Sequence, residues 1–168
     1  LCVSRQDIPV ASMCAIEYYE DSLLPLARLY NLERELDQAL QEKIWLKSGG
    51  FLIIQQTEAF VAIDVNTGKH SSKKDAEENY KQINREAALE IARQLRLRNL
   101  SGMILVDFIN MKNTNDQSEL LQYMGSLVRS DPMQTVVVDV TALGIMEITR
   151  KKSAKTLAEQ LLQLKKGE

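Results

Sequence analysis

Apolar residues recur along this chain at two different periods, and the changes of period mark its elements. From Asn31 to Glu42 the spacing is helical: Leu32, Leu36, Ala39 and Leu40 share one face, opposite Glu33, Arg34, Asp37, Gln38 and Gln41. Asn31 is placed to cap that helix. Before it, Leu23 to Leu29 is apolar but contains Pro25, which allows a helix to start there. Residues 1–15, around Pro9, predict irregular chain or an edge strand. Ile44 to Lys47, Ser48-Gly49-Gly50 and Phe51 to Gln55 read as a β-hairpin, because the glycine pair supplies the positive φ such turns need. A third strand, Phe60 to Val65, follows after Thr57-Glu58 and completes an antiparallel meander.

Thr67 to Asn79 is a polar loop, and loops of that length inside a domain are usually functional or disordered. Asn79 to Leu97 is the strongest helix signal, with Ala87, Ala88, Ile91, Ala92 and Leu95 as its apolar stripe. Asn99-Leu100-Ser101-Gly102 stops it. Met103 to Ile109 is then almost continuously apolar, as expected of a strand covered on both faces. A helix between two such strands predicts a right-handed crossover with both strands parallel in one sheet. Gln117 to Arg129 predicts a second amphipathic helix, and Gln134 to Val140 another buried strand. Leu143 to Ile148 fits strand or helix. Ser153 to Lys166 reads as a helix capped by Ser153, with Leu157, Leu161 and Leu164 on one face. The sum is an α/β (α+β) protein with a mixed β-sheet and flanking helices.

Composition narrows the class of function only modestly. In 168 residues, 45% hydrophobic and 26% charged content is that of a globular protein large enough to bury its own core. The net charge of −2 announces no nucleic-acid partner, so any basic surface must be local. No apolar run is long enough to span a membrane, and no signal peptide is visible at the start; both suit a cytoplasmic protein. Cys2 and Cys14 lack metal-ligand spacing and read as ordinary reduced cysteines. His70, the one histidine, lies in the polar loop, so triad catalysis would rest on it alone.

The chemistry gathers at two aspartates. Asp64 lies in Ile63-Asp64-Val65-Asn66-Thr67-Gly68, and Asp107 lies in Leu105-Val106-Asp107-Phe108-Ile109. Each interrupts an apolar strand, where a buried charge is costly unless paired or bound to metal. Side chains at i and i+2 share a strand face, so Asp64 and Asn66 point the same way. Ligand sites in α/β sheets collect beyond the carboxyl ends of parallel strands, so Asp64, Asn66 and Asp107 can converge at one rim. Two carboxylates plus substrate phosphate oxygens suffice for Mg²⁺, which lowers the pKa of a bound water and stabilises charge on a phosphate. Lys69, Arg93, Lys112, Arg150 and Lys151 are candidate phosphate contacts. The blander readings stay open at this point. A strand-end aspartate is often a turn cap or an arginine's partner, and charges on a helix are often a solvated face.

The same residues carry a family resemblance. Lys47-Ser48-Gly49-Gly50 through Thr57-Glu58-Ala59, then Ala62-Ile63-Asp64-Val65-Asn66-Thr67-Gly68, resemble the ribonuclease E/G family. So do Glu86-Ala87-Ala88, Glu90-Ile91-Ala92-Arg93-Gln94-Leu95-Arg96-Leu97-Arg98, Asp107-Phe108-Ile109 and Gly144-Ile145-Met146-Glu147-Ile148-Thr149-Arg150, in family order. The likeness covers roughly residues 31–152 and extends more weakly back to about 16.

The resemblance implies a deoxyribonuclease I-like catalytic subdomain over 48–152, preceded by part of a ribonuclease H-like one over 1–47 and followed by a C-terminal helix over 153–168. It implies an Mg²⁺-dependent endoribonuclease that cuts single-stranded, AU-rich RNA to 5′-phosphate and 3′-hydroxyl ends. Asp64 and Asp107 match the family's metal-binding aspartates, and Asn66 matches the asparagine that supports the scissile phosphate. The family's zinc link between protomers implies a homo-oligomer for a full-length member. This sequence departs from the pattern at Ile83, Arg85, Asn110, Pro132 and Thr141-Ala142-Leu143, the last in place of a stretch with an arginine and an aromatic. With no recognisable OB-fold, 5′-end sensor or zinc motif in these 168 residues, weak RNA grip is expected of the stretch alone. Two alternatives stand beside the nuclease: a degenerate RNA-binding or scaffold module, and a phosphohydrolase of small esters.

Overall fold

The computed structural model describes residues 19–21, 23–68 and 76–166. Cys2, Cys14, Lys69, His70 and the expected irregular start lie outside the described residues. The chain divides into two compact units, the first ending at Leu36 and the second starting at Asp37. In the first, α1 (Leu26–Leu29) begins directly after Pro25. Asn31 adopts φ 51° just before α2 (Leu32–Ala39), so it enters the helix from the left-handed region rather than from the extended geometry of a conventional N-cap.

The second unit is a six-stranded mixed sheet. Its strands are β1 (Lys43–Trp45), β2 (Phe51–Gln56), β3 (Val61–Asn66), β4 (Gly102–Asp107), β5 (Thr135–Val140) and β6 (Ile145–Arg150), in the order β1-β2-β3-β4-β6-β5. The hairpin forms where the glycines predict it: Leu46 N–H donates to the Gly50 carbonyl at 2.8 Å, and Gly49 takes φ 89°. β3 and β4 are parallel and every other pair is antiparallel. The crossover between β3 and β4 contains α3 (Ala76–Leu97).

α3 and α4 (Thr114–Val128) cover one face of the sheet. Leu52, Ile54, Val61, Ile63, Val65, Ile104, Val106, Met146 and Ile148 alternate along the strands toward that face and pack with Ile83, Ala87, Ile91 and Leu95 of α3 and Leu120, Met124 and Val128 of α4. Each of these side chains except Ala87, which has one methyl group, contributes about 1.5–3 kcal/mol by leaving water. The opposite face is open among the described residues: Met103, Asp64 and Asp107 are exposed on it. The expectation that 103–109 is covered on both faces is therefore corrected. Its residues are apolar on both sides, but only Ile104 and Val106 are buried, and residues 108–110 have already left the sheet. β5, expected to be buried, is an edge strand with Val136, Val138 and Val140 exposed.

Two ambiguities resolve locally. Gly144 at φ 86° closes a tight turn after β5, and this commits residues 145–150 to a strand. The last helix, α5 (Leu157–Lys166), starts later than expected and is capped by Thr156 rather than Ser153. Thr156 N–H donates to Glu159 Oε2 at 2.7 Å, and Glu159 N–H donates to Thr156 Oγ1 at 3.3 Å. That reciprocal pair is a capping box. The Thr156 backbone and hydroxyl donors hold the Glu159 carboxyl below its ordinary range.

Candidate active site

Asp64 and Asp107 are register partners on the parallel pair β3–β4. Adjacent strands lie about 4.8 Å apart, so the two carboxylates start from neighbouring backbone positions and stand on the same open face. Neither is buried. The argument from burial cost is thus corrected: these strands are apolar on the helix side, and the aspartates occupy the alternate, solvent-facing positions. What singles the pair out is repulsion. Like charges directly opposite one another across strands are destabilising, and no arginine or lysine neutralises either aspartate among the described residues.

Asn66 lies on the same face two residues beyond Asp64, and its Nδ2 donates to Asp64 Oδ2 at 2.7 Å. That bond orients the carboxylate. An amide nitrogen carries two donors, and the second has no partner among the described residues.

Three further contacts build the rim. Asn84, fully buried on α3, donates from Nδ2 to the Ile109 carbonyl at 2.8 Å and accepts from the Ile109 N–H at 3.0 Å. This two-point clamp fixes the chain two residues past Asp107. Glu86, one helical turn-fraction further along α3, accepts from the Ser48 N–H at 2.9 Å and ties the β1–β2 turn to the same helix. Gly68 packs so closely on that turn that a Cβ would collide with the Gly49 carbonyl oxygen. Beside Asp107, a cleft of about 330 Å³ opens between segment 107–111 and the β5–β6 turn, where Thr141, Ala142 and Leu143 line it.

The basic candidates separate. Lys112 follows β4 at the Asp107 rim, where its Nζ lies 3.5 Å from Glu77 Oε1 and its side chain is almost fully exposed. Arg93 pairs with Glu90 at 2.9 Å on α3, about 25 Å down the helix from Ala76 and away from the rim. Lys151 follows β6, whose last residues pair with the start of β4, so it too lies at the far end. Arg150 is corrected outright as a phosphate contact. Its side chain is 3% exposed, its Nε donates to Asp131 Oδ2 at 2.8 Å, and its Nη1 donates to Asn99 Oδ1 and the Leu100 carbonyl. Burial alone would raise the Asp131 carboxyl, but the Arg150 guanidinium, the Met133 N–H and the Thr135 hydroxyl outweigh it and hold that carboxyl below its ordinary range.

Asn84 was legible in principle, as a polar residue on the buried stripe that runs through Ala88, Ile91 and Leu95; such a residue needs a partner. Among the described residues, no cluster of three or more histidine, cysteine, aspartate or glutamate side chains is placed to hold a metal. The pair therefore offers two carboxylates.

A family model described as "Ribonuclease E/G family" matches residues 5–153. The chain belongs to the ribonuclease E/G family. It is 40% identical to Ribonuclease G of Escherichia coli K12 over 137 residues, which is 82% of this chain and 28% of that protein. It is 38% identical to Ribonuclease E of Nostoc sp. over 144 residues, 86% of this chain and 21% of that protein. Ribonuclease G of Haemophilus influenzae is 40% identical over 137 residues. The chain thus spans between a fifth and a third of these ribonuclease E/G relatives. No helix among the described residues is long and apolar enough to cross a membrane.

Proposed function

We propose that this chain is the catalytic portion of an Mg²⁺-dependent endoribonuclease that hydrolyses single-stranded RNA to 5′-phosphate and 3′-hydroxyl ends. The observation behind the reading is the Asp64–Asp107 register on an open face, with no lysine or arginine paired to either carboxylate among the described residues. A hard divalent ion bound through one or two carboxylates, with its remaining positions filled by water and phosphate oxygens, suits such a pair. Asp64 and Asp107 would hold it. When bound, it supplies charge stabilisation at the phosphate and an acidified water.

The chain's own residues do the rest. The Asn66 amide holds the Asp64 carboxylate through one N–H and would present its second N–H to a phosphate oxygen without adding negative charge. Asn84, through the backbone of Ile109, holds Asp107 at the strand end. Among the described basic candidates, Lys112 lies at this rim and can reach a neighbouring phosphate. The cleft beside Asp107 leads substrate past the turn at Thr141–Leu143. The names of the relatives, both ribonucleases, point the same way. A homo-oligomeric full-length protein and a cytoplasmic location remain part of the proposal.

The test is cleavage of a short single-stranded RNA with Mg²⁺ and with EDTA. Asp64→Asn and Asp107→Asn are each expected to lower Mg²⁺-dependent cleavage by more than roughly 100-fold, since even residues that only support a metal's ligands cost 10- to 100-fold. Full turnover in either variant, or equal turnover in EDTA, overturns the proposal; binding without turnover in the wild-type chain would favour the scaffold alternative.

A further inference from the structure

The open face holds a second group of side chains that the hydrolytic reading does not use. β1 and β2 bring Lys43, Trp45 and Phe51 to the same side of the sheet as the aspartates. Trp45 pairs with Phe51, and Phe51 pairs with Asn66; one row further, Lys43 pairs with Ile53 and Ile53 with Asp64. Trp45 is therefore two strand spacings, about 10 Å, from Asn66. The Trp45 and Phe51 rings lie 5.2 Å apart, tilted by 59°. Lys43 Nζ sits 4.1 Å from the Trp45 ring centroid and 3.8 Å from that of Phe51. Trp45 is nonetheless 63% exposed. A Cβ at Gly68 would stand 3.2 Å from the indole, so the ring is seated against the same glycine that follows Asn66.

We propose that Trp45, assisted by Phe51 and Lys43, is a stacking subsite for a base of single-stranded nucleic acid whose neighbouring phosphate lies at Asn66, Asp64 and Asp107. The proposal deepens the nuclease reading and takes its orientation of the strand from it. An exposed indole offers a flat surface to any base, and stacking of this kind is tolerant of sequence. Lys43 has no carboxylate partner among the described residues. It is held over the rings by cation–π attraction that is weak at an exposed site, so a phosphate of the incoming strand can take it. The juxtaposition gives an overall acidic chain what its net charge withholds: a local patch that pairs a stacking ring with a cation, in line with the carboxylates.

Trp45 is the chain's one tryptophan, so fluorescence excited selectively at tryptophan, beyond the tyrosine band, reports this subsite alone. The full chain is titrated in EDTA with a 2′-O-methyl oligouridine, which is not cleaved, while a labelled copy of the oligonucleotide reports binding by anisotropy. Saturable quenching that tracks the anisotropy is expected, with much weaker quenching by a duplex. Trp45→Ala is expected to weaken binding by roughly 5- to 150-fold, the range of one lost base–aromatic stack, whereas Trp45→Phe retains most of it and controls for folding. Lys43→Gln is expected to lower the salt dependence by about one phosphate contact. Oligonucleotide binding that leaves Trp45 fluorescence unchanged, no binding at all, or unweakened binding by Trp45→Ala overturns the subsite. Quenching without Mg²⁺-dependent cleavage of RNA would remove the nuclease reading and leave the subsite standing; cleavage with a silent Trp45 would do the reverse.

Discussion

The two ends of the β4–β6 strand pair treat charge in opposite ways. At one end Asp107 lies beside Ile145, exposed, facing a second carboxylate on β3 and receiving no counter-charge from the described protein. At the other end Arg150 lies beside Gly102, sealed from solvent, with donors engaged by Asp131, Asn99 and the Leu100 carbonyl. A saturated buried charge has nothing left to offer a ligand; its role is to hold elements together. An unsaturated exposed pair stabilises nothing on its own, and it is the proposed cation that would give its arrangement a use. The sign of a residue's charge and its neighbourhood in sequence do not distinguish these roles. The state of its hydrogen-bonding partners does.

Stability measurements break the comparison most directly if it is wrong. Asp64→Asn and Asp107→Asn, which should abolish cleavage, are expected to leave stability unchanged or raise it by up to about 1 kcal/mol, because each removes a cross-strand repulsion. Chemical denaturation of both variants checks this; a loss of several kcal/mol would mean that the pair belongs to the scaffold. At the other end the expectation inverts. Asp131→Ala leaves the Arg150 guanidinium buried without its carboxylate and is expected to cost about 3–5 kcal/mol. Between the two extremes stands Asn84→Ala, which strips the clamp from both backbone groups of Ile109 and is expected to cost about 1–3 kcal/mol. Because the clamp also sets the strand end that carries Asp107, this variant should lose cleavage as well, with tighter Mg²⁺ titration required to restore it. Equal activity at equal Mg²⁺ would confine Asn84 to folding.

Much of the scaffold was readable because its signals are local. The Gly49-Gly50 turn, the stripe of α3 and the apolar runs of β3 and β4 lie within windows of a few residues, and the crossover rule then makes those strands parallel. The rim followed from the same rule together with the family motifs around Asp64 and Asp107. What escaped depends on distant partners. Nothing near Arg150 in sequence announces Asp131, which approaches only once β5 and β6 are in register. Valines on β5 look like core until the strand order makes it an edge. The aspartates read as buried because an apolar strand gives no sign of which face the helices will cover. Trp45 is hidden in the sequence for a related reason: in an alternating hairpin it reads as one more strand aromatic, and only the register with Phe51 and Asn66 places it beside the acids.

The smallest expected effect sharpens the comparison through pH. The Asp131 carboxyl is held below its ordinary range in the folded chain. Its contribution to stability is therefore complete above the unfolded value, near about 3.9, and is lost as pH falls through the lowered folded value. The sign follows from proton uptake: below about pH 4 the unfolded chain binds a proton at this position that the folded chain does not, so stability declines with falling pH by up to about 1.4 kcal/mol per pH unit from this one group. Asp131→Asn cannot take up that proton. Its stability, lower throughout, should fall less steeply than that of the wild type between pH 4 and pH 2, measured by urea denaturation at each pH. Parallel slopes for the two chains would show that the pair at the far end of β6 is not the charged, saturated interaction described, and the contrast with the Asp64–Asp107 rim would lose its second term.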